Sequence, residues 1–202
     1  MRLRSGDILV IATKNQKKVN EFKLLLRPFG LKIISLLDLD LPSPDETGTN
    51  FKDNATVKVQ ACSEACEWAV LADDSGLCVK ALGGQPGVYT DRWAGADRNY
   101  GHAMQKINDE VMAIDSHPDR RAEFICALAF RFANTGNTYH FEGRVEGELV
   151  WPARGKNNMS FDPIFAPLGQ KHTYAEMTAE EKSKYSARQR ATQKFIESCI
   201  ER

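Results

Sequence analysis

The sequence predicts an α/β fold, a mixed β-sheet flanked by helices. Two observations carry this. Apolar strand-like runs alternate with helical patterns through the first half of the chain, and the second half holds two long strand patterns around one tight turn. Strands separated by helices favour parallel pairing and a hairpin is antiparallel, so a mixed sheet accounts for both.

Residues 7–13, DILVIAT, form a buried-strand run. Over 15–27, Val19, Phe22, Leu25 and Leu26 recur at helical spacing, and Pro28 with Gly30 ends that helix. Residues 31–36 are a second strand, 38–50 an acidic loop with two prolines, and 51–67 a helix. Residues 69–73 read as a strand closing on Asp73-Asp74-Ser75-Gly76, with Gly76 allowing a sharp turn. A short separate strand over 77–80 follows, then a Gly/Pro turn at 83–87 and a helix over 97–114. Residues 121–133 and 138–149 make a hairpin around Asn134-Thr135-Gly136-Asn137. A loop covers 152–163 and one last helix 178–200. Neither a linker composition nor an internal repeat divides residues 1–202, so one domain is expected.

Composition narrows the function classes. Lys plus Arg and Asp plus Glu number 27 each in 202 residues, for a net charge of zero. A general nucleic-acid binder carries a basic excess, so any anionic ligand must be met by a local cluster. The five cysteines, Cys62, Cys66, Cys78, Cys126 and Cys199, contain no CxxC pair, which argues against a disulfide framework or a zinc site and for a reducing compartment. The apolar run Ile8–Ala12 behind Met1-Arg2-Leu3-Arg4 is too short for a signal peptide, and no stretch reaches membrane-spanning length. A cytoplasmic protein without membrane or nucleic-acid partners is expected.

Three segments carry candidate chemistry. Thr13, Lys14, Asn15, Gln16, Lys17 and Lys18 sit where a strand enters a helix, and Asn15 can cap that helix. Free N–H groups and lysines there suit a phosphate. A solvated helix face with Lys18 and Glu21 as a surface pair fits equally well. In the second segment Asn54 and Lys58 share a helix side, with Glu46 in the preceding loop. They can meet a polyanion and its metal, or simply be polar groups at a capped helix start. The third is Asp73-Asp74, two carboxylates beside a buried strand, which are costly unless they bind protons or a cation. Oxygen ligands of this kind suit Mg²⁺ shared with substrate phosphates. An Asx turn is the alternative.

Two weaker segments follow: Gly155 with Ser160-Phe161-Asp162-Pro163, and the charged run Glu180–Arg188. His102, His117, His140 and His172 form no metal or nucleophile pattern.

Together the segments resemble the inosine triphosphate pyrophosphatase family. The matches are Thr13-x-Asn15-x-x-Lys18-x-x-Glu21, Glu46-Thr47-Gly48-x-x-Phe51-x-x-Asn54-Ala55-x-x-Lys58, Ala72-Asp73-Asp74-Ser75-Gly76-Leu77 with Leu82-x-Gly84-x-Pro86-Gly87 and Arg92, Phe161-Asp162-Pro163-x-Phe165, and Glu181-Lys182 with Ser186-x-Arg188. Five pieces in order span nearly the whole chain. The resemblance implies an elongated mixed sheet with two lobes and a central cleft. It implies Mg²⁺-dependent hydrolysis of non-standard purine nucleoside triphosphates (inosine, deoxyinosine and xanthosine triphosphate) to a monophosphate and pyrophosphate, in a cytosolic homodimer.

The resemblance makes Asp74 the catalytic base, with Lys18 and Lys58 holding the triphosphate and Glu46, Asp74 and Asp73 at the metal. It places Thr13, Lys14, Asn15, Gln16, Lys17, Lys18 and Asn54 around the phosphates. Ser75, Met159, Ser160, Phe161, Asp162, Lys182, Ala187 and Arg188 fall around the sugar and base. Met159 stands where the family has an aromatic that stacks on the base, Ser160 where it has glycine, and Ala187 where it has histidine. These departures predict relaxed base discrimination. A related septum-inhibitor-type pyrophosphatase and a non-catalytic nucleotide-binding protein are the competing readings.

Overall fold

The computed structural model describes residues 1–156 and 160–201. Met159, one of the expected base-side residues, lies outside them. Among the described residues, six strands form a sheet: β1 (Ile8–Ile11), β2 (Lys32–Ser35), β3 (Ala69–Val79), β4 (Arg121–Arg131), β5 (Tyr139–Leu149) and β6 (Phe165–Pro167). Their order is β2-β1-β3-β4-β5-β6. β1 runs parallel to β2 and β3, and β5 pairs antiparallel with β6, so the sheet is mixed, as the two sequence patterns require. The helices are α1 (Gln16–Leu26), α2 (Phe51–Ala65), α3 (Thr90–Trp93), α4 (Tyr100–Ile114), α5 (Ala179–Lys184) and α6 (Ala187–Cys199).

The chain divides into two compact units. The first comprises Met1–Asp74, Cys126–Gly143 and Arg188–Arg202. One apolar cluster there gathers Val10, Ala12, Leu36, Ala55, Val59, Cys62, Val70, Ala72 and Ala129. Alternation explains it: Val10 and Ala12 of the first strand segment, and Val70 and Ala72 of β3, share one sheet face, and α2 lays Ala55, Val59 and Cys62 on it. α1 buries Val19, Phe22 and Leu26, each side chain gaining roughly 1.5–3 kcal/mol on leaving water. Asn15 caps α1, accepting from Lys17 N at 3.0 Å and Lys18 N at 3.4 Å. The second unit comprises Ser75–Ile125 and Arg144–Ala187. Phe124 and Phe165 meet edge to face at 4.8 Å, and Tyr174 joins them at 5.5 and 5.0 Å.

Three expectations change. The strand expected to end at Asp73 runs unbroken through Val79. Gly76 lies outside the left-handed glycines and makes no turn, and Leu77 and Val79 bury as strand residues. The single helix expected over 178–200 breaks into α5 and α6. Tyr174 Oη donates to the Tyr185 carbonyl at 2.5 Å, so that oxygen serves a tertiary partner instead of continuing a helical ladder. β6 lay unseen between Pro163 and Pro167 because it is three residues long and its pairing is entirely with β5.

Candidate active site

β1 ends at Ile11, with Ile11 opposite Leu71. β3 continues past it, so Asp73 and Asp74 lie just beyond the carboxyl end of a parallel neighbour, where open α/β sheets bind ligands. Successive strand residues face opposite ways, and the pair divides accordingly. Asp74 continues the Val70–Ala72 face toward α2. Asp73 faces α1 and α6.

On the first face, Asn54 Nδ2 donates to Asp74 Oδ2 at 2.9 Å. Lys58 Nζ lies 2.8 Å from Glu46 Oε1 and 3.6 Å from Asp74 Oδ1. Lys58 is 7% exposed: spacing puts it on one side of α2 with Asn54, and that side is the buried one. Burial pushes Asp74 up to about 6; Lys58 and Asn54 oppose the shift and neighbouring Glu46 adds to it. The ammonium sits nearer Glu46, which leaves burial dominant at Asp74. Burial also disfavours charged Lys58, but Asp74, Asp73 and Glu46 outweigh it and hold Lys58 above its ordinary value.

On the other face, Lys18 Nζ is 3.0 Å from Asp73 Oδ2. Arg188 donates to the same oxygen from Nη2 at 3.0 Å and Nε at 3.3 Å, and also binds Glu21. Burial would raise Asp73, but Lys18, Arg188 and Lys58 overcome it and hold it well below the usual carboxylate range. The expected Lys18–Glu21 surface pair is thus replaced: Lys18 pairs inward with Asp73, and Glu21 with Arg188. Arg188, expected beside the base, spends its guanidinium in this buried ion group. Asp73 Oδ1 is buried with no hydrogen-bond partner among the described residues.

Thr13 Oγ1 accepts from Asn15 N at 3.1 Å. Asn15 itself satisfies two of the first N–H groups of α1, so any phosphate there meets Lys14, Gln16 and Lys17 on an exposed turn rather than a fully open helix end. Gln16 Nε2 donates to Asn20 at 2.9 Å.

The remaining expected residues separate by surroundings. Lys182 Nζ is 2.5 Å from buried Asp162 and 5.3 Å from the Tyr174 ring centroid. Phe161 is fully buried, edge-on to Tyr100 at 5.7 Å. It packs as a core residue, a role that the Phe-Asp-Pro spacing does not distinguish from a place beside the base. Ser160 has φ +54 and its hydroxyl engages Tyr100. Ala187 is buried at the first position of α6. Ser75 is half-buried within β3.

The metal fit follows from the donor set. Among the described residues, no three His, Cys, Asp or Glu side chains gather to hold an ion. Of the three carboxylates expected at the metal, Asp73 turns its Oδ2 to Lys18 and Arg188, and Glu46 and Asp74 lie together beside Lys58. Two carboxylates suit Mg²⁺, which commonly takes one or two and completes its shell with phosphates and water.

A mixed sheet whose central strand carries two adjacent aspartates, each met by a lysine, defines an α/β protein. The Ham1 family model matches residues 9–198, and the chain belongs to the Ham1 family. It is 41% identical to the dITP/XTP pyrophosphatase of Zymomonas mobilis over 199 residues, covering 98% of this chain and 94% of that protein. It is 46% identical to the dITP/XTP pyrophosphatase of Bartonella quintana over 187 residues, covering 90% and 86%. Among solved structures, the HAM1 protein of Coxiella burnetii superposes with TM-score 0.86 at 34% identity, covering 94% of this chain and 96% of that one. The Staphylococcus aureus Ham1 protein does so with TM-score 0.82 at 33% identity, covering 95% and 98%.

Proposed function

We propose that this chain hydrolyses non-standard purine nucleoside triphosphates, dITP and XTP among them, between the α- and β-phosphates. Water adds, and a nucleoside monophosphate and pyrophosphate are released. The observation that carries the reading is the environment of Asp74: buried, raised to about 6, and set between Asn54, Lys58 and Glu46. An ordinary aspartate is a weak base at neutral pH, and a carboxylate raised toward the working pH is a better one. Relatives named dITP/XTP pyrophosphatase supply the substrate class.

In this reading Asp74 orients the attacking water and takes its proton. Lys18 and Lys58 hold the triphosphate and stabilise the charge that builds on the leaving pyrophosphate. Thr13, Lys14, Asn15, Gln16 and Lys17 fix the phosphate tail. Asp73 acts on the other face of β3, holding Lys18 and Arg188. Glu46 and Asp74 would hold Mg²⁺, which when bound neutralises phosphate charge. Ser75, Ser160, Asp162, Lys182, Ala187 and, outside the described residues, Met159 belong to the sugar and base side.

Residues 1–202 acting as one functional domain, a homodimeric assembly and a cytoplasmic location belong to the same reading. Among the described residues no helix is long and apolar enough to cross a membrane.

The test is pyrophosphate release from dITP, XTP, ATP and GTP, with Mg²⁺ and with excess EDTA. Release from dITP and XTP that chelation abolishes is the expected result. A protein that binds these nucleotides without cleaving them would instead be the non-catalytic relative.

A further inference from the structure

Asn54, expected among the substrate-binding residues, is 2% exposed and has both ends of its amide occupied by the protein. Gly48 N donates to Oδ1 at 2.7 Å, and Nδ2 donates to Asp74 Oδ2 at 2.9 Å. The chemistry fixes the orientation. A backbone N–H only donates and an ionised carboxylate only accepts, so the amide must turn its oxygen to Gly48 and its nitrogen to Asp74. Gly48 lies two residues from Glu46, so one side chain ties the base to the loop carrying the second carboxylate. The fit is close: a Cβ on Gly48 would stand 2.7 Å from Asn54 Oδ1 and 2.9 Å from Asn54 N. Glycine there permits the contact.

We infer that Asn54 is a positioning residue of the hydrolytic site: it touches no substrate, orients the Asp74 carboxylate through Oδ2 and locks the loop segment Glu46–Gly48 against it. This rests on the reading of Asp74 as the base. A partner that aims a reacting or ligating group typically costs 10–100-fold when removed, and a small misplacement of a reacting group is costly because its orientation is part of the rate.

The wild type, Asn54→Ala and Asn54→Asp are compared on dITP with saturating Mg²⁺. Asn54→Ala is expected to lower kcat by about 10–100-fold with KM within about threefold, since only the geometry of the transition state changes. Asn54→Asp keeps the shape and the acceptor for Gly48 N but replaces the donor to Asp74. It is expected to lose kcat as well, whereas a side chain that merely pinned the loop would be rescued by it. Where Asn54→Ala shows no cooperative melt, Asn54→Asp decides. A second readout uses metal-free protein, where no turnover enters. Asn54→Ala and Asp74→Ala should be non-additive in urea midpoint, the double variant losing less than the two singles summed. Wild-type kcat in Asn54→Asp, a KM effect alone, or additive midpoints would each overturn the inference. Wild-type protein that releases no pyrophosphate would instead defeat the proposed hydrolysis itself.

Discussion

Asp73 and Asp74 are adjacent in β3, yet their carboxylates serve opposite faces of the sheet: Asp73 meets Lys18 and Arg188, and Asp74 meets Asn54 and Lys58. The division assigns different consequences to the two acids.

Asp74→Asn keeps the shape and removes the charge. Turnover is expected to fall at least about a hundredfold, the scale of a lost general base, with nucleotide binding retained. Steady-state kinetics beside calorimetric titration with dITP measures both; near-normal turnover would remove Asp74 from the role of base.

Arg188→Ala strips Asp73 of one of the two cations bonded to its Oδ2. Removing one partner of a buried pair costs about 3–5 kcal/mol because the other charge stays buried. A lowered urea midpoint is therefore expected. A change under about 0.5 kcal/mol, typical of surface positions, would contradict the burial of this group. Lys58→Ala is expected to lose stability as well as activity, since Glu46 and Asp74 lose the ammonium between them.

Glu46→Gln tests the metal assignment. The Mg²⁺ concentration for half-maximal activity is expected to rise about tenfold or more, while circular dichroism stays unchanged. An unaltered Mg²⁺ requirement would leave Asp74 as the sole carboxylate ligand.

Glu176 and Glu181 close two capping boxes, with Thr173 and Thr178. The Thr173 and Thr178 backbone N–H groups donate to the Glu176 and Glu181 carboxylates respectively; these bonds are the largest influence on each acid and hold both below the ordinary glutamate value. A depressed folded value gives stability that is present above the unfolded value, near pH 4.3, and lost as pH falls through the folded one. Glu176→Gln/Glu181→Gln should melt below the wild type at pH 7, with the gap closing toward pH 3. A gap that widens on acidification would reverse the sign.

Ala187 tests base discrimination. Ala187→His is expected to sharpen the kcat/KM ratio of dITP over dATP by about tenfold, the scale of one pocket contact. If the unmodified protein already discriminates strongly, other residues have rebuilt the pocket.

Strand and helix positions were legible wherever apolar period alone decided them, as in β1, α1, α2 and the β4–β5 hairpin. The break between α5 and α6 was not, because it depends on a bond from Tyr174, eleven residues before Tyr185 in sequence. The identities of the charged residues were legible by resemblance; their pairing was not. Lys18 and Glu21 at helical spacing look like partners, but each finds a stronger one across the fold, in Asp73 and Arg188. Asn54 carries a polar face in the helix pattern, and only the approach of the loop at Gly48 shows that the face is closed.

The charges on the two faces of β3 also bear on attempts to harden this protein against heat. Replacing buried ion groups with apolar residues of similar volume is often neutral or stabilising, so a selection for heat resistance alone would be free to erase Asp73 with Lys18 and Arg188, and Asp74 with Lys58. Such variants are expected to hold or raise their melting temperature while losing turnover. A thermostability screen for this fold therefore needs a turnover readout in every round, and its gains are better sought at surface turns far from β3.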